Sequence, residues 1–341
     1  MKIAIVGAGA IGGYAGVKLA LSGERVTFLA RGANLAAIRE RGLRLIQSDD
    51  TELVARDVQA TADYGAAGPQ DIVILAVKTH QVGAVADEVP KLFGPETSVV
   101  TMQNGIPYWY FHRHGGRFEG HCVESVDPGG VCLRRIPPER VIGCVVYPAS
   151  VLVAPGVVRH IEGNRFPVGE LDGSSSERVR AVSECLVRSG LQAPVLDNIR
   201  AEIWLKLWGN LTFNPISALT RATLVDICQF PATRKLAADM MTEAQCVANR
   251  LGITFRLPIE RRIAGAERVG KHKTSMLQDL EAGRVLETDA LLGSVLELAR
   301  MTETAAPAME AVYALTKLLG QTVTTGGQGS GATAPAAPGR G

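Results

Sequence analysis

The chain opens with a short apolar run, Ile3 to Val6, that passes into a glycine turn, Gly7 to Gly12, and then into apolar positions at helical spacing from Ala10 to about Leu21. No other stretch constrains the fold as strongly. Glu24 to Ala30 reads as a second strand, so strand, turn, helix and strand follow in the order of a βαβ unit. Gly7 lets the chain turn tightly off the strand, Gly9 lets the backbone approach a pyrophosphate, and Gly12 lets the helix pack close to the strand. Free N–H groups and the helix dipole favour negative charge at that helix start. A glycine triplet alone is a weak signal, but the elements around this one make it a dinucleotide site.

The end of the second strand selects the dinucleotide. An NAD or FAD site wants Asp or Glu there to bond the ribose hydroxyls, whereas this chain has Ala30-Arg31. A guanidinium binds a 2'-phosphate with a planar fork of donors, so the expected cofactor is NADP. The alternative is that Arg31 is a solvated loop residue, but Glu24 precedes the strand and Asp49 lies too far along to replace it.

At 341 residues the chain exceeds the size at which single cores stop growing, so two domains are expected. A net charge of +2, with no basic stripe, gives no reason to invoke nucleic acid or a membrane surface. No run approaches the ~18 apolar residues of a membrane span, and the apolar N-terminus reads as a strand rather than a signal peptide. Six cysteines without a C-x-x-C pair suit reduced thiols in a cytoplasm.

Further along, Ala33 to Arg41 reads as a helix, Leu43 to Ile46 and Glu52 to Val54 as a small β excursion, and Asp71 to Val77 as a strongly apolar strand. A helix from about Val82 to Leu92 and a strand at Ser98 to Met102 follow. From Pro107 to Val141 the pattern breaks into Gly, Pro, His and Arg and reads as an irregular surface excursion. Strands are expected at Val141 to Tyr147, Gly156 to Ile161, Phe166 to Gly169 and Gln192 to Leu196, with a helix from Ser175 to Ser189. Beyond Asn198 nearly every stretch has helical character. The expected fold is α/β: an N-terminal Rossmann-type doubly wound sheet over residues 1–197, followed by an all-α domain over 198–320 and a disordered Gly/Pro/Ala-rich tail over 321–341.

Within the helical half, Lys206, Asn210 and Asn214 recur every four residues and line one narrow polar stripe among Trp204, Leu207, Trp208, Leu211 and Phe213. A polar stripe on a largely buried helix needs partners, and a ligand can supply them. Each residue alone has a structural reading: Lys206 can snorkel to water, and Asn214 before Pro215 suits an N-cap. Taken as a triplet they point to function. Asn104 lies at the carboxyl end of a strand, where open α/β sheets bind ligands, although Asn104-Gly105 also suits a turn. Ser275 with Gln278 fits a capping box as well as a substrate contact, and Glu287 follows Gly283 on what reads as the next helix.

These motifs together resemble the ketopantoate reductases (2-dehydropantoate 2-reductases), over roughly residues 1 to 320. Gly7, Ala8, Gly9, Ala10, Ile11 and Gly12 match the family's phosphate turn, and Arg31 its 2'-phosphate contact. Lys78 and Gln81 match its K-x-x-Q segment near the cofactor, Asn104 the Asn of its N-G motif beside the nicotinamide and substrate, and Ala149 a cofactor-side backbone contact. Trp204, Lys206, Asn210 and Asn214 match W-x-K-L-x-x-N-x-x-x-N, whose Lys donates the proton and whose Asn residues hold substrate. Ser275 to Asp279 and Glu287 match the S-M-L-Q-D segment and its following Glu, which implies a substrate contact for Ser275 and a catalytic, cofactor-side role for Glu287. The resemblance implies NADPH-dependent reduction of 2-dehydropantoate in the cytoplasm. The implied partner is a small-molecule 2-oxo acid, with no nucleic acid and no membrane, and a homodimer stays open. The chain departs from the family in the longer Pro107 to Val141 stretch.

Two readings compete: a reductase of another branched 2-oxo acid, and a non-catalytic Rossmann sensor of nucleotide. A zinc site from His112, His114, His121 and Cys122 is not expected, because their spacing fits no common site.

Overall fold

A computed structural model describes residues 1–326. Among the described residues eleven strands run in chain order as β1 (Lys2–Val6), β2 (Arg25–Leu29), β3 (Leu43–Ile46), β4 (Glu52–Ala55), β5 (Gln59–Thr61), β6 (Gln70–Leu75), β7 (Phe93–Thr101), β8 (Val141–Cys144), β9 (Ala149–Ala154), β10 (Val157–Glu162) and β11 (Val168–Gly169). A seven-stranded sheet has the order β11-β8-β7-β6-β1-β2-β5, and every neighbouring pair is parallel except β11 with β8. The chain winds one way from β1 to β2 and the other way to β6, so the carboxyl end of β1 is the switch point of a Rossmann-type sheet. Residues alternate between the two faces: Ile3 and Ile5 join one buried cluster with Phe28 and Ile74, while Ala4 and Val6 join another with Leu29, Val73 and Leu75.

The small β excursion belongs to a second sheet of order β4-β3-β10-β9. Its pairing of β10 with β3 joins segments more than a hundred residues apart, which local patterning does not reveal. β5 and β9 were not expected either, because Gln59–Thr61 is short and polar and Ala149–Ala154 carries an exposed apolar end. The helix expected from Val82 to Leu92 is instead a short helix, Thr79–Val82, followed by tight turns at Gly83–Val85 and Val89–Leu92, since Gly83 and Pro90 interrupt any longer one. The strand expected at Gln192 to Leu196 reduces to two isolated bridges, Arg165 with Gln192 and Val168 with Val195; Pro194 between them has no N–H for a ladder.

The Pro107 to Val141 excursion lies only partly at the surface: Arg113, Gly115 to Arg117 and Glu119 to His121 are exposed, but its start is not. Tyr108, Trp109, Tyr110 and Phe111 are buried, with Trp109 donating to Thr101 Oγ1 at 3.0 Å and Tyr108 to Ile136 O at 3.2 Å. Their indole and phenol groups find partners inside, which lets the large rings fill the sheet's flank. Arg200 holds this segment through the backbone carbonyls of Tyr110 and His112, and also bonds that of Leu171.

The chain divides into two compact units, Met1–Leu207 and a second from Trp208 onward. The division lies inside the Ile199–Thr220 helix, beyond the expected boundary at 197/198, because Ile199 and Ile203 belong to a core cluster of the sheet. The second unit is helical, with Pro231–Arg250, Ile259–Arg268, Ser275–Glu281, Ser294–Met301 and Pro307–Gly326 as its main elements and a π-turn at Asp289–Gly293. Its last helix continues past residue 320; residues 327–341, most of the expected tail, lie outside the described residues. Among the described residues no helix is long and apolar enough to cross a membrane.

Candidate active site

The glycine turn has the geometry its sequence implies. Gly7 sits at φ +101°, and a Cβ there would lie 2.8 Å from Val77 Cγ1. A Cβ on Gly12 would collide with the Gly7 carbonyl oxygen, so only glycine lets the Ala10–Leu21 helix start this close to β1. Gly9 behaves in the opposite way: a Cβ would meet nothing within 4 Å. It is the N-cap of a helix with no side-chain cap and no acidic residue in its first turn. Open space over a bare backbone, at a helix start whose N–H groups lack a side-chain acceptor, fits a pyrophosphate. Ala8, Ala10 and Ile11 complete the turn.

Asn34 is a residue that sequence reasoning missed. Its amide donates to Ala8 O at 2.7 Å while its Oδ1 accepts from Gly156 N at 2.7 Å, tying the glycine turn to the loop between β9 and β10. Nothing in the local pattern signals this bridge. Arg31 is exposed and caps the Gly32–Arg41 helix with extended backbone, just beyond the carboxyl end of β2. Its charge is felt at Tyr64, whose hydroxyl burial raises and Arg31 draws back down.

Lys78 precedes the Thr79–Val82 helix and is half-buried. Gln81 is exposed, and its Oε1 accepts from Lys78 N at 3.2 Å, so in this structure it caps its own turn. Ala149 begins β9, opposite Glu162.

At the carboxyl ends of β6 and β7 the backbone is stapled. Gln103 Nε2 donates to Leu75 O at 2.7 Å and Val77 O at 3.1 Å, and Thr79 Oγ1 donates to Asn104 O at 3.0 Å. Gly105 at φ +88° makes the Asn-Gly turn that the pair also suggested. With the Asn104 backbone fixed, its side-chain Oδ1 accepts from Lys206 Nζ at 2.6 Å. The same ammonium donates to Val146 O, just past the end of β8, and lies 6.0 Å from the Tyr147 ring centroid. Its charge reaches Cys144, a thiol that burial pushes up to about 12 against the opposing pull of Lys206. A half-buried ammonium held by two oxygens at the carboxyl edge of a Rossmann-type sheet is a fixed positive donor.

A second group lies in the helical unit. Asn214, 5% exposed, donates from Nδ2 to Ser275 Oγ at 3.2 Å. The structure overturns both capping readings here. The Ile199–Thr220 helix runs unbroken through Pro215, so Asn214 caps nothing. The Ser275–Glu281 helix is capped by Thr274, whose hydroxyl accepts from Leu277 N at 3.3 Å, one residue earlier than the sequence suggested. Ser275 is thereby left to meet an amide instead of a backbone N–H. Asn210 is half-buried on the same helix as Asn214. Glu287 stands just before the helical turns, with its carbonyl accepting from Leu291 N at 3.1 Å, rather than within a helix. Among the described residues no group of three or more His, Cys, Asp or Glu could hold a metal ion.

A glycine turn at the switch point of a parallel sheet, a lysine–amide pair at its carboxyl edge and a helical second unit define a Rossmann-type oxidoreductase. The chain belongs to the ketopantoate reductase PanE/ApbA family: that family's model matches residues 3–173 and its C-terminal model residues 198–320. The 2-dehydropantoate 2-reductase of Mesorhizobium japonicum is 53% identical over 320 residues, covering 94% of this chain and 98% of that protein. Among solved structures, a candidate ketopantoate reductase from Ralstonia solanacearum MolK2 superposes with a TM-score of 0.90 at 41% identity, covering 94% of this chain and 98% of the other. The 2-dehydropantoate 2-reductase of Geobacter metallireducens GS-15 does so with a TM-score of 0.81 at 27% identity, covering 93% and 99%.

Proposed function

We propose that this protein reduces 2-dehydropantoate (ketopantoate) to pantoate with NADPH, a step of pantothenate (vitamin B5) and coenzyme A biosynthesis. The observation that carries the reading is the Lys206 ammonium, fixed by Asn104 Oδ1 at 2.6 Å and by Val146 O at the carboxyl edge of the sheet. Bound NADPH supplies the hydride that reduces the ketone carbon. Lys206 stabilises the developing alkoxide and passes it a proton from Nζ, which is worth roughly 10² to 10⁴ in rate. The Gly7 to Gly12 turn holds the pyrophosphate, Arg31 the 2'-phosphate, and Lys78, Gln81, Asn104 and Ala149 line the remainder of the cofactor. Asn210, Asn214 and Ser275 bind the substrate's polar groups, and Glu287 takes the catalytic, cofactor-side role that its match to the family implies. Six free cysteines support placement in a reducing cytoplasm.

The test is loss of NADPH absorbance with ketopantoate set against 2-oxoisovalerate, which lacks only the hydroxymethyl group, and pyruvate. A site that hydrogen-bonds the substrate hydroxyl rejects an analogue without it by about 10²-fold or more in kcat/KM. Equal values for ketopantoate and 2-oxoisovalerate would instead assign the enzyme to branched 2-oxo acids in general. No oxidation of NADPH with any of the three would remove the catalytic reading and favour a nucleotide sensor.

A further inference from the structure

Lys206 is oriented by the carbonyl of Val146, yet nothing in β8 itself holds that carbonyl, because the strand ends at Cys144. Beyond it the chain leans on the 165–167 segment: Val145 N donates to Pro167 O at 3.0 Å and Tyr147 N to Arg165 O at 3.1 Å. The side chains close the arrangement. Tyr147 hydroxyl donates to Glu202 Oε1 at 2.8 Å, Arg165 pairs with the same oxygen, and the Arg165 guanidinium lies 5.0 Å from the Tyr147 ring centroid. Glu202 stands one helical turn before Lys206 on the Ile199–Thr220 helix, so the two side chains project on the same side. Its carboxylate is only 14% exposed, although Arg165 is 38% exposed. Burial pushes the Tyr147 hydroxyl up, and its bond to Glu202 adds to this, so it acts as a donor at neutral pH.

We propose that Glu202 is a positioning residue for Lys206: by gripping Tyr147 and Arg165 it fixes the Val146–Tyr147 segment, whose carbonyl aims the ammonium. The helix and this segment are joined at two points one turn apart, Glu202 to Tyr147 and Lys206 to Val146. Removing the first leaves the second free to drift, and a misplacement near 1 Å costs roughly 10²-fold in rate. The inference rests on the proposed reduction, since it concerns the geometry of the same lysine.

The test compares Glu202→Ala, Glu202→Gln, Tyr147→Phe and the Ala/Phe double variant as full-length protein. Glu202→Ala is expected to lower kcat by about 10- to 100-fold. The NADPH dissociation constant from fluorescence titration and the KM for ketopantoate should each stay within about twofold. Both bonds fall on one oxygen, which glutamine retains, so Glu202→Gln should recover most of kcat. Tyr147→Phe, which keeps the ring and removes only the hydroxyl, should lose kcat in the same direction. It also carries the test if Glu202→Ala does not fold. The double variant should be no worse than the more impaired single one, as expected for residues acting through one contact. A folded Glu202→Ala or Tyr147→Phe with wild-type kcat overturns the proposal, and so does a Glu202→Gln as impaired as Glu202→Ala. If the wild-type enzyme itself fails to oxidise NADPH with ketopantoate, the proposed reduction falls and takes this inference with it. Wild-type turnover with indifferent variants removes the inference alone.

Discussion

Replacing Lys206 with alanine removes the one donor that serves both Asn104 Oδ1, at 2.6 Å, and Val146 O. If Nζ is the proton source, kcat should fall by about 10² to 10⁴, which at about 1.4 kcal/mol per tenfold is roughly 3–6 kcal/mol of transition-state stabilisation. The fold should suffer far less. Asn104 is half-buried and Val146 buried, so the loss of two hydrogen bonds is expected to cost on the order of 1–3 kcal/mol. The glycine turn and Arg31 belong to other elements, so the NADPH dissociation constant should stay within about twofold. Stopped-flow single turnover with saturating NADPH separates hydride transfer from product release, and fluorescence titration reads the cofactor affinity. A kcat within about threefold of wild type, in a protein that binds NADPH normally, would refute the assignment of Lys206 as the acid.

Other expectations follow from single contacts. Arg31→Ala should weaken NADPH far more than NADH in parallel titrations, and an equal effect on both would remove the 2'-phosphate role. Gly12→Ala places a methyl against the Gly7 carbonyl oxygen and should destabilise by about 1–3 kcal/mol or more while weakening NADPH; an unchanged urea midpoint would contradict the close approach. Hydrogen bonds from Ser174, with Arg113 alongside, hold the Asp172 carboxyl at about 2. Its folded value lies below the unfolded one near ~3.9, so its stabilisation is present above that pH and is lost as pH falls through about 2. Asp172 is 37% exposed, which limits the effect to about 1 kcal/mol or less. Asp172→Asn should flatten that part of the pH–stability curve, and superimposable curves would refute it.

The readable parts of this chain were those whose signal is local. Gly7 and Gly12 make the tight turn and the close helix approach their spacing implies, and Gly9 leaves open space over the helix start, because a turn between strand and helix is built from neighbours. The stripe of Lys206, Asn210 and Asn214 was legible as a period, but its partners were not: Asn104 meets Lys206 across 102 positions and Ser275 meets Asn214 across 61. Thr274 and Ser275 show how fine the margin is, since either hydroxyl could cap and only the backbone's choice of helix start decides. The Tyr108 to Phe111 segment was misread because flanking Gly, His and Arg residues diluted its apolar content, while its burial depends on partners such as Thr101 and Trp204. Asn34 reads as an ordinary helix residue until Gly156 is brought beside it.

Arg200 gives the long helix an address. Three main-chain oxygens, from Tyr110, His112 and Leu171, receive its guanidinium, and Trp204 one turn later donates to the Tyr110 hydroxyl at 2.7 Å. A carboxylate on a flexible stem could follow a sliding arginine, but oxygens built into the backbone cannot. The rotational setting of the helix is thereby indexed at its entry, and a slip of one residue would swing Lys206 by about 100°. Shortening the Pro107 to Val141 stretch would therefore act as a change of phase on the Lys206 ammonium.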